Sequence, residues 1–86
     1  MPIELTDRFA RQYGQLSMAI QRKVDKALHF LDKDFLHPGL HSHPIEGASG
    51  IFEAYVNRKY RMTFERRKDT FIMRNVDNHD ECLRNP

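Results

Sequence analysis

Apolar and polar residues change their spacing along this chain, dividing it into a helical half, an irregular bridge and a sheet half. Ile3 and Leu5 alternate with Glu4 just after Pro2, which predicts a short edge strand with proline at its start. Thr6 is placed to cap a first helix, with Asp7 in the first turn, where the helix dipole favours a carboxylate. Phe9, Tyr13 and Leu16 form a short apolar stripe, and Gly14 reads as the stop. Ser17 caps a second helix whose apolar positions Ile20, Val24, Ala27, Leu28 and Leu31 share one face. Arg22, Lys23, Asp25, Lys26 and Asp32 populate the other side. Phe30 sits off the stripe, where it can pack on the neighbouring helix, and His29 beside the stripe reads as structural. The short Gln15–Leu16 connection makes the two helices antiparallel.

From His37 to Gly50 the periodicity stops. Pro38-Gly39, Pro44, Gly47 and Gly50 predict a crossing loop. Period-two alternation then predicts three strands, roughly Ile51–Asn57, Lys59–Arg67 and Thr70–Val76. The Asn57-Arg58 and Lys68-Asp69 joins are short enough for hairpins, hence an antiparallel meander. Phe52, Ala54, Val56, Tyr60, Met62, Phe64, Phe71 and Met73 would face the helices. The expected fold is α+β, an N-terminal helical hairpin packed on a small antiparallel sheet, as one domain spanning residues 1–86.

Composition narrows the class. A chain of 86 residues buries roughly 60–65% of its unfolded surface, so the core must be compact. Hydrophobic residues at 40% and charged residues at 30% are globular proportions. The formal charge of +2, with five histidines uncounted, permits a phosphate-rich partner without demanding one. A single cysteine, Cys82, excludes an internal disulfide framework and fits a reducing compartment. No apolar stretch reaches membrane-spanning length and the N-terminus carries no leader pattern, so a soluble cytoplasmic protein is expected.

The polar face of the meander carries the candidate chemistry. Arg61, Thr63 and Glu65 fall on one side of their strand, and neighbouring strands would gather Arg61, Arg74 and His79 on one concave, solvent-facing surface. Cleaving RNA with its own 2′-hydroxyl needs a base, a cation for the charge growing on phosphate, and an acid for the leaving oxygen. An unperturbed imidazole changes charge near neutral pH, a side-chain type suited to the acid or base role, and His79 supplies one here. Arg61 offers phosphate a planar bidentate fork, which Lys59 approximates only as a point charge. Arg74 would extend that cradle, and Glu53 and Glu65 are the candidate bases. Ordinary alternatives stand beside each: Glu65–Arg74 or Glu53–Arg61 pairs would be plain sheet surface, and His79-Asp80 could simply cap the chain end. The loop histidines His37, His41 and His43 fit no zinc spacing, so neither metal nor cofactor is expected. Of the three, His43 is best placed to reach the active face. Tyr55 and Tyr13 can stack on bases or serve as packing. Cys82 reads as a partly exposed thiol, and Arg66-Arg67-Lys68 as a solvated hairpin tip.

The stretches HPGLHSHPIEG, GIFEAYVNRKYRMTFE and DTFIMRNVDNHDECLRNP, in the order helix, helix, loop, meander, terminal His-Asp, resemble the RelE/ParE toxin superfamily of bacterial type II toxin–antitoxin systems. The resemblance covers about residues 20–86 and rests on the Tyr60-Arg61 pair combined with His79-Asp80. It implies either a metal-independent endoribonuclease cutting messenger RNA on the ribosome or a ParE-type inhibitor of DNA gyrase, each held inactive by a cognate antitoxin. A relative retaining only its antitoxin partner is a third possibility. Residue by residue, Arg61 matches the arginine that steadies the scissile phosphate, Glu53 a glutamate base of some members, and His79 a terminal acid or base. Many relatives carry an arginine where this chain has Tyr55, which removes one expected phosphate contact.

Overall fold

Thr6 and Ser17 cap the two N-terminal helices as their sequence positions require. The Thr6 hydroxyl accepts from the Phe9 amide and the Ser17 hydroxyl from the Ile20 amide. In the computed structural model, which describes residues 1–86, these helices are α1 (Asp7–Gln15) and α2 (Met18–Lys33). Gly14 does not stop α1. It lies inside the helix, and Leu16, in extended conformation, closes it by donating its amide to Tyr13.

Five strands make one sheet: β1 (Ile3–Leu5), β2 (His43–Pro44), β3 (Ile51–Tyr55), β4 (Tyr60–Arg67) and β5 (Thr70–Asn78), in the order β1-β5-β4-β3-β2. The meander is antiparallel as expected, but the sheet is mixed, because β1 runs parallel to β5. Alternation alone gives a strand no direction, so the parallel edge was not legible. The bridge from His37 to Gly50 is more ordered than a plain loop: Pro38–Leu40 forms a 3-10 turn and His43–Pro44 pairs with Phe52–Glu53. β3 ends at Tyr55 rather than Asn57, because the Asn57 side chain accepts from the Lys59 and Tyr60 amides and builds the turn itself.

The core lies between the helices and one sheet face. Phe9, Val24, Ala27, Leu31 and Leu40 pack on Ala54, Met62, Phe64, Phe71, Met73 and Val76, all buried. Phe52, Val56 and Tyr60 are half-buried at its margin. Phe30 does not pack on the first helix. It stacks on the His37 ring at 3.9 Å, and His29 is exposed rather than structural.

The opposite face departs most from expectation. A short helix, α3 (His79–Arg84), and the tail behind it fold back across β4 and β5, making a third layer. Thr63 and Asn75, polar residues of that face, are fully buried. Asn75 Nδ2 donates to the carbonyls of Cys82 and Asn85, and its Oδ1 accepts from Gln12. Cys82 is not a partly exposed thiol. It is buried with its Sγ against the Arg61 carbonyl, and burial pushes its pKa up to about 12. No helix is long and apolar enough to cross a membrane.

Candidate active site

The strand period places Glu53 and Tyr55 of β3 and Arg61 of β4 on this outer face, and the register sets Tyr55 opposite Arg61 and His43 opposite Glu53. Arg61 and Glu53 are only 6% and 4% exposed. Glu53 Oε1 lies 3.7 Å from Arg61 Nε and 3.6 Å from His43 Nε2. Both separations are ion-pair distances longer than a hydrogen bond, and Arg61 Nε is buried without an acceptor. The Arg61 guanidinium carbon sits over the Tyr55 ring, 3.6 Å from its centroid, and His41 meets the same ring at 4.6 Å. Arg61 Nη1 donates to the carbonyls of Asn57, Arg58 and Tyr60, tying the guanidinium to the β3–β4 turn.

One histidine flanks this buried charge pair, and a second is anchored to the β3–β4 turn. His43 Nδ1 lies 2.8 Å from the His41 carbonyl, which can only accept, so the proton sits on Nδ1 and Nε2 is turned toward Glu53. His79 opens α3 behind the Asn78 cap, and its amide donates to the Lys59 carbonyl at 2.7 Å. That bond holds it at the end of the sheet to which Arg61 reaches. His79 Nδ1 faces Asp80 Oδ1 at 3.2 Å, which leaves Nε2 free on a half-exposed ring. The arrangement joins a shielded carboxylate, a cation over an aromatic ring and the His43 imidazole, with His79 anchored to the β3–β4 turn.

Not every expected group joins it. Arg74 sits where β5 bulges, the register slipping between Thr63 and Phe64, and its Nε donates to the Pro86 carbonyl. Glu65 pairs with Arg67 rather than with Arg74. Lys59 is exposed in the turn, its amine 5.9 Å from the Tyr60 ring centre. The three loop histidines part company: His37 on Phe30, His41 on Tyr55, His43 facing Glu53. No three His, Cys, Asp or Glu side chains converge as metal ligands. His41 and Asn57 belong to the site and were not singled out for it. Asn57 in a two-residue join was the available sign of a side-chain-built turn, whereas nothing local marks His41, which takes a φ of 48° and packs its ring on Tyr55.

Solved structures give the fold its relatives. Over 92% of this chain and 99% of the other, it superposes on a YoeB/ParE toxin from Agrobacterium tumefaciens with a TM-score of 0.79 at 10% identity. The YoeB dimer from Staphylococcus aureus matches 92% of this chain over 97% of its own, with a TM-score of 0.76 at 13% identity. The RelB-RelE antitoxin-toxin complex from Methanococcus jannaschii matches 91% over 92%, with a TM-score of 0.76 at 16% identity. The fold is that of the RelE/ParE toxins. No protein-family model matches the chain, and no curated protein matches it in sequence. At such identities the likeness establishes the RelE/ParE-like architecture, and the chemistry must be argued from the side chains.

Proposed function

We propose that this chain is the toxin of a type II toxin–antitoxin pair and acts in the cytoplasm as a metal-independent endoribonuclease on messenger RNA. The observation that carries this reading is the Glu53 carboxylate, nearly shielded from water and flanked by His43 and Arg61 at 3.6 and 3.7 Å. A carboxylate kept from water beside an imidazole is a competent proton acceptor. The Glu53–His43 pair takes the 2′-hydroxyl proton while the 2′-oxygen attacks phosphorus in line. The bond to the 5′-oxygen breaks, and that oxygen takes a proton from Nε2 of His79 in its imidazolium form, whose Nδ1 still donates to Asp80, giving a 2′,3′-cyclic phosphate and a 5′-hydroxyl. Arg61, stacked on Tyr55, supplies fixed positive charge to the phosphorane, and Lys59 contributes charge at the rim. A cognate antitoxin holds the toxin inactive, as RelB is held with RelE in the archaeal complex. The test is a translation assay that follows messenger cleavage. Glu53→Gln and His79→Gln should each abolish cutting, and undiminished cutting by both overturns the mechanism.

One observation favours a different reading. Arg61 commits Nη1 to carbonyls of its own turn, which suits a residue that stiffens that turn as well as a phosphate ligand. With Tyr55 in place of an arginine, this supports a ParE-type protein that inhibits DNA gyrase by contact. A supercoiling assay with purified gyrase separates the two, since a ribonuclease leaves supercoiling unchanged.

A further inference from the structure

Arg74, left out of the site above, belongs to a second cluster. A cleft of about 350 Å³ beside the C-terminal tail is lined by Arg8, Arg74 and Arg84, with Ala48, Ile51 and the tail residues as its remaining walls. The three arginines come from α1, the β5 bulge and α3, so the fold assembles the group from distant parts of the sequence. Arg8 and Arg74 have no Asp or Glu carboxylate within ion-pairing distance. Arg8 donates to the Asn85 carbonyl, and Arg74 Nε donates to an oxygen of Pro86, the final residue of the sequence. Arg84 is paired with Glu81 on its own helix, and no Asp or Glu lines the cleft. Glu4, Asp7 and Glu65 lie in an adjoining depression on the other side of Arg74.

The donor accounting distinguishes this cluster from Arg61. Arg74 spends Nε on the tail, and neither of its terminal nitrogens bonds within the chain, so the edge that grips phosphate in a bidentate manner is free. The bulge explains how it is aimed: one extra residue against Thr63 and Phe64 swings Arg74 out of the strand alternation and beneath the tail. The cleft also lies on the outer face. Arg74 is three residues along β5 from Asp77, the partner of Arg61, or about 10 Å at ~3.3 Å per residue.

Resting on the ribonuclease reading, we propose that Arg8, Arg74 and Arg84 form a phosphate subsite for the RNA backbone, holding a phosphodiester distant from the one that is cut. It positions the strand without reading its sequence. Three guanidinium groups around a cleft with no Asp or Glu in its lining favour a polyanion over a peptide carboxylate, because several phosphates can be neutralised along one strand.

The probe is a fluorescent single-stranded 2′-O-methyl oligoribonucleotide, which cannot be cut by its own 2′-oxygen, titrated into the full chain at several salt concentrations. Arg8→Ala and Arg74→Ala should each weaken binding about tenfold and flatten the salt dependence by about 0.7 log units per log unit of salt. Arg84→Glu should weaken it with both tail bonds intact, Arg8→Lys and Arg74→Lys should largely retain it, and Arg22→Ala on α2 should change nothing. Urea unfolding of each variant checks that the fold is kept. Wild-type affinity in the Arg8→Ala/Arg74→Ala and Arg84→Glu proteins, or no binding by the wild-type chain, overturns the subsite. If messenger is cut but these variants bind and cut as wild type, the subsite fails and the nuclease stands. If nothing is cut while binding still depends on these arginines, the nuclease fails and the subsite stands.

Discussion

Arg61 and Tyr55 face each other across β3 and β4, and the guanidinium carbon rests 3.6 Å from the centre of the phenol ring. Tyr55 stands where the family resemblance leads one to expect an arginine. A ring in that place adds no second cation but gives the first a flat surface that fixes the plane of its fork. The same stack holds Arg61 Nη1 against three carbonyls of the β3–β4 turn, so one aromatic side chain supports both the charge and the loop.

Tyr55→Leu should therefore cost about 1–3 kcal/mol of stability, since it removes a cation–π contact from an arginine that has almost no access to water. Tyr55→Phe keeps the ring and should lie within about 0.5 kcal/mol of wild type. Urea unfolding measures both, and equal losses in the two variants would show that the hydroxyl, not the stack, matters.

Glu53 is the sole carboxylate in ion-pairing reach of Arg61 and His43. Glu53→Ala leaves a buried guanidinium without a counter-charge, a loss of about 3–5 kcal/mol where one partner of a buried pair is removed. Glu53→Gln preserves shape, should destabilise less, and should lower messenger cleavage by about 10²–10⁴ if the carboxylate accepts the proton. Comparing cleavage rate with unfolding free energy for the two variants separates catalysis from folding. A glutamine variant that cuts normally confines Glu53 to a structural role.

The helical hairpin, the meander and the core-facing residues were readable because each depends on periodicity and capping within a short window. Val24, Ala27 and Leu31 share a helical stripe, and Ala54, Met62 and Phe64 share a strand face. The Glu53–Arg61 proximity was likewise open to inspection, because both lie on the polar side of adjacent strands. What escaped depends on contacts distant in sequence. α3 was hidden because six residues carry too little periodicity to announce a helix, and its stability comes from Cys82 and Asn75 across the sheet. A solvent-facing polar surface was the natural expectation from Arg61 and Thr63 alone. Their burial follows from a fold-back that no local pattern encodes. The bulge at Arg74 was invisible for the same reason, since a register slip is a property of two strands.

Cys82 makes stability depend on alkaline pH. Its thiol is raised from an ordinary 9.0 to about 12 chiefly by burial, so above pH 9 the unfolded chain loses this proton while the folded one keeps it. The stability contribution is whole below pH 9 and is lost progressively as pH climbs toward 12. Urea midpoints measured from pH 8 to 11 should fall with a component absent from Cys82→Ala. The native thiol should also resist a water-soluble alkylating reagent at pH 8, with labelling appearing only as urea unfolds the chain. Rapid native labelling would contradict the burial.

Asn75 latches the third layer to the sheet. Its amide nitrogen donates to Cys82 O at 2.9 Å and Asn85 O at 3.2 Å, while its oxygen accepts from Gln12 Nε2 at 2.7 Å. Gln12 Oε1 in turn accepts from the Val76 amide at 2.9 Å, on a stretch of β5 that the short β1 leaves unpaired. Asn75→Ala removes the centre of this network and strands the Cys82 carbonyl and the Gln12 amide, while the Asn85 carbonyl keeps its bond from Arg8, at a cost of about 2–4 kcal/mol. Asn75→Asp is the sharper test because it keeps the size and reverses the donors. A carboxylate would face the carbonyls of Cys82 and Asn85 with no proton to offer, while still accepting from Gln12. The aspartate variant should accordingly release α3 while β1 and α1 stay in place. Hydrogen exchange should quicken from residue 79 to the C-terminus and remain slow across β4. Uniform protection in the aspartate variant would mean that the fold-back is held by apolar burial of Cys82 and not by the amide.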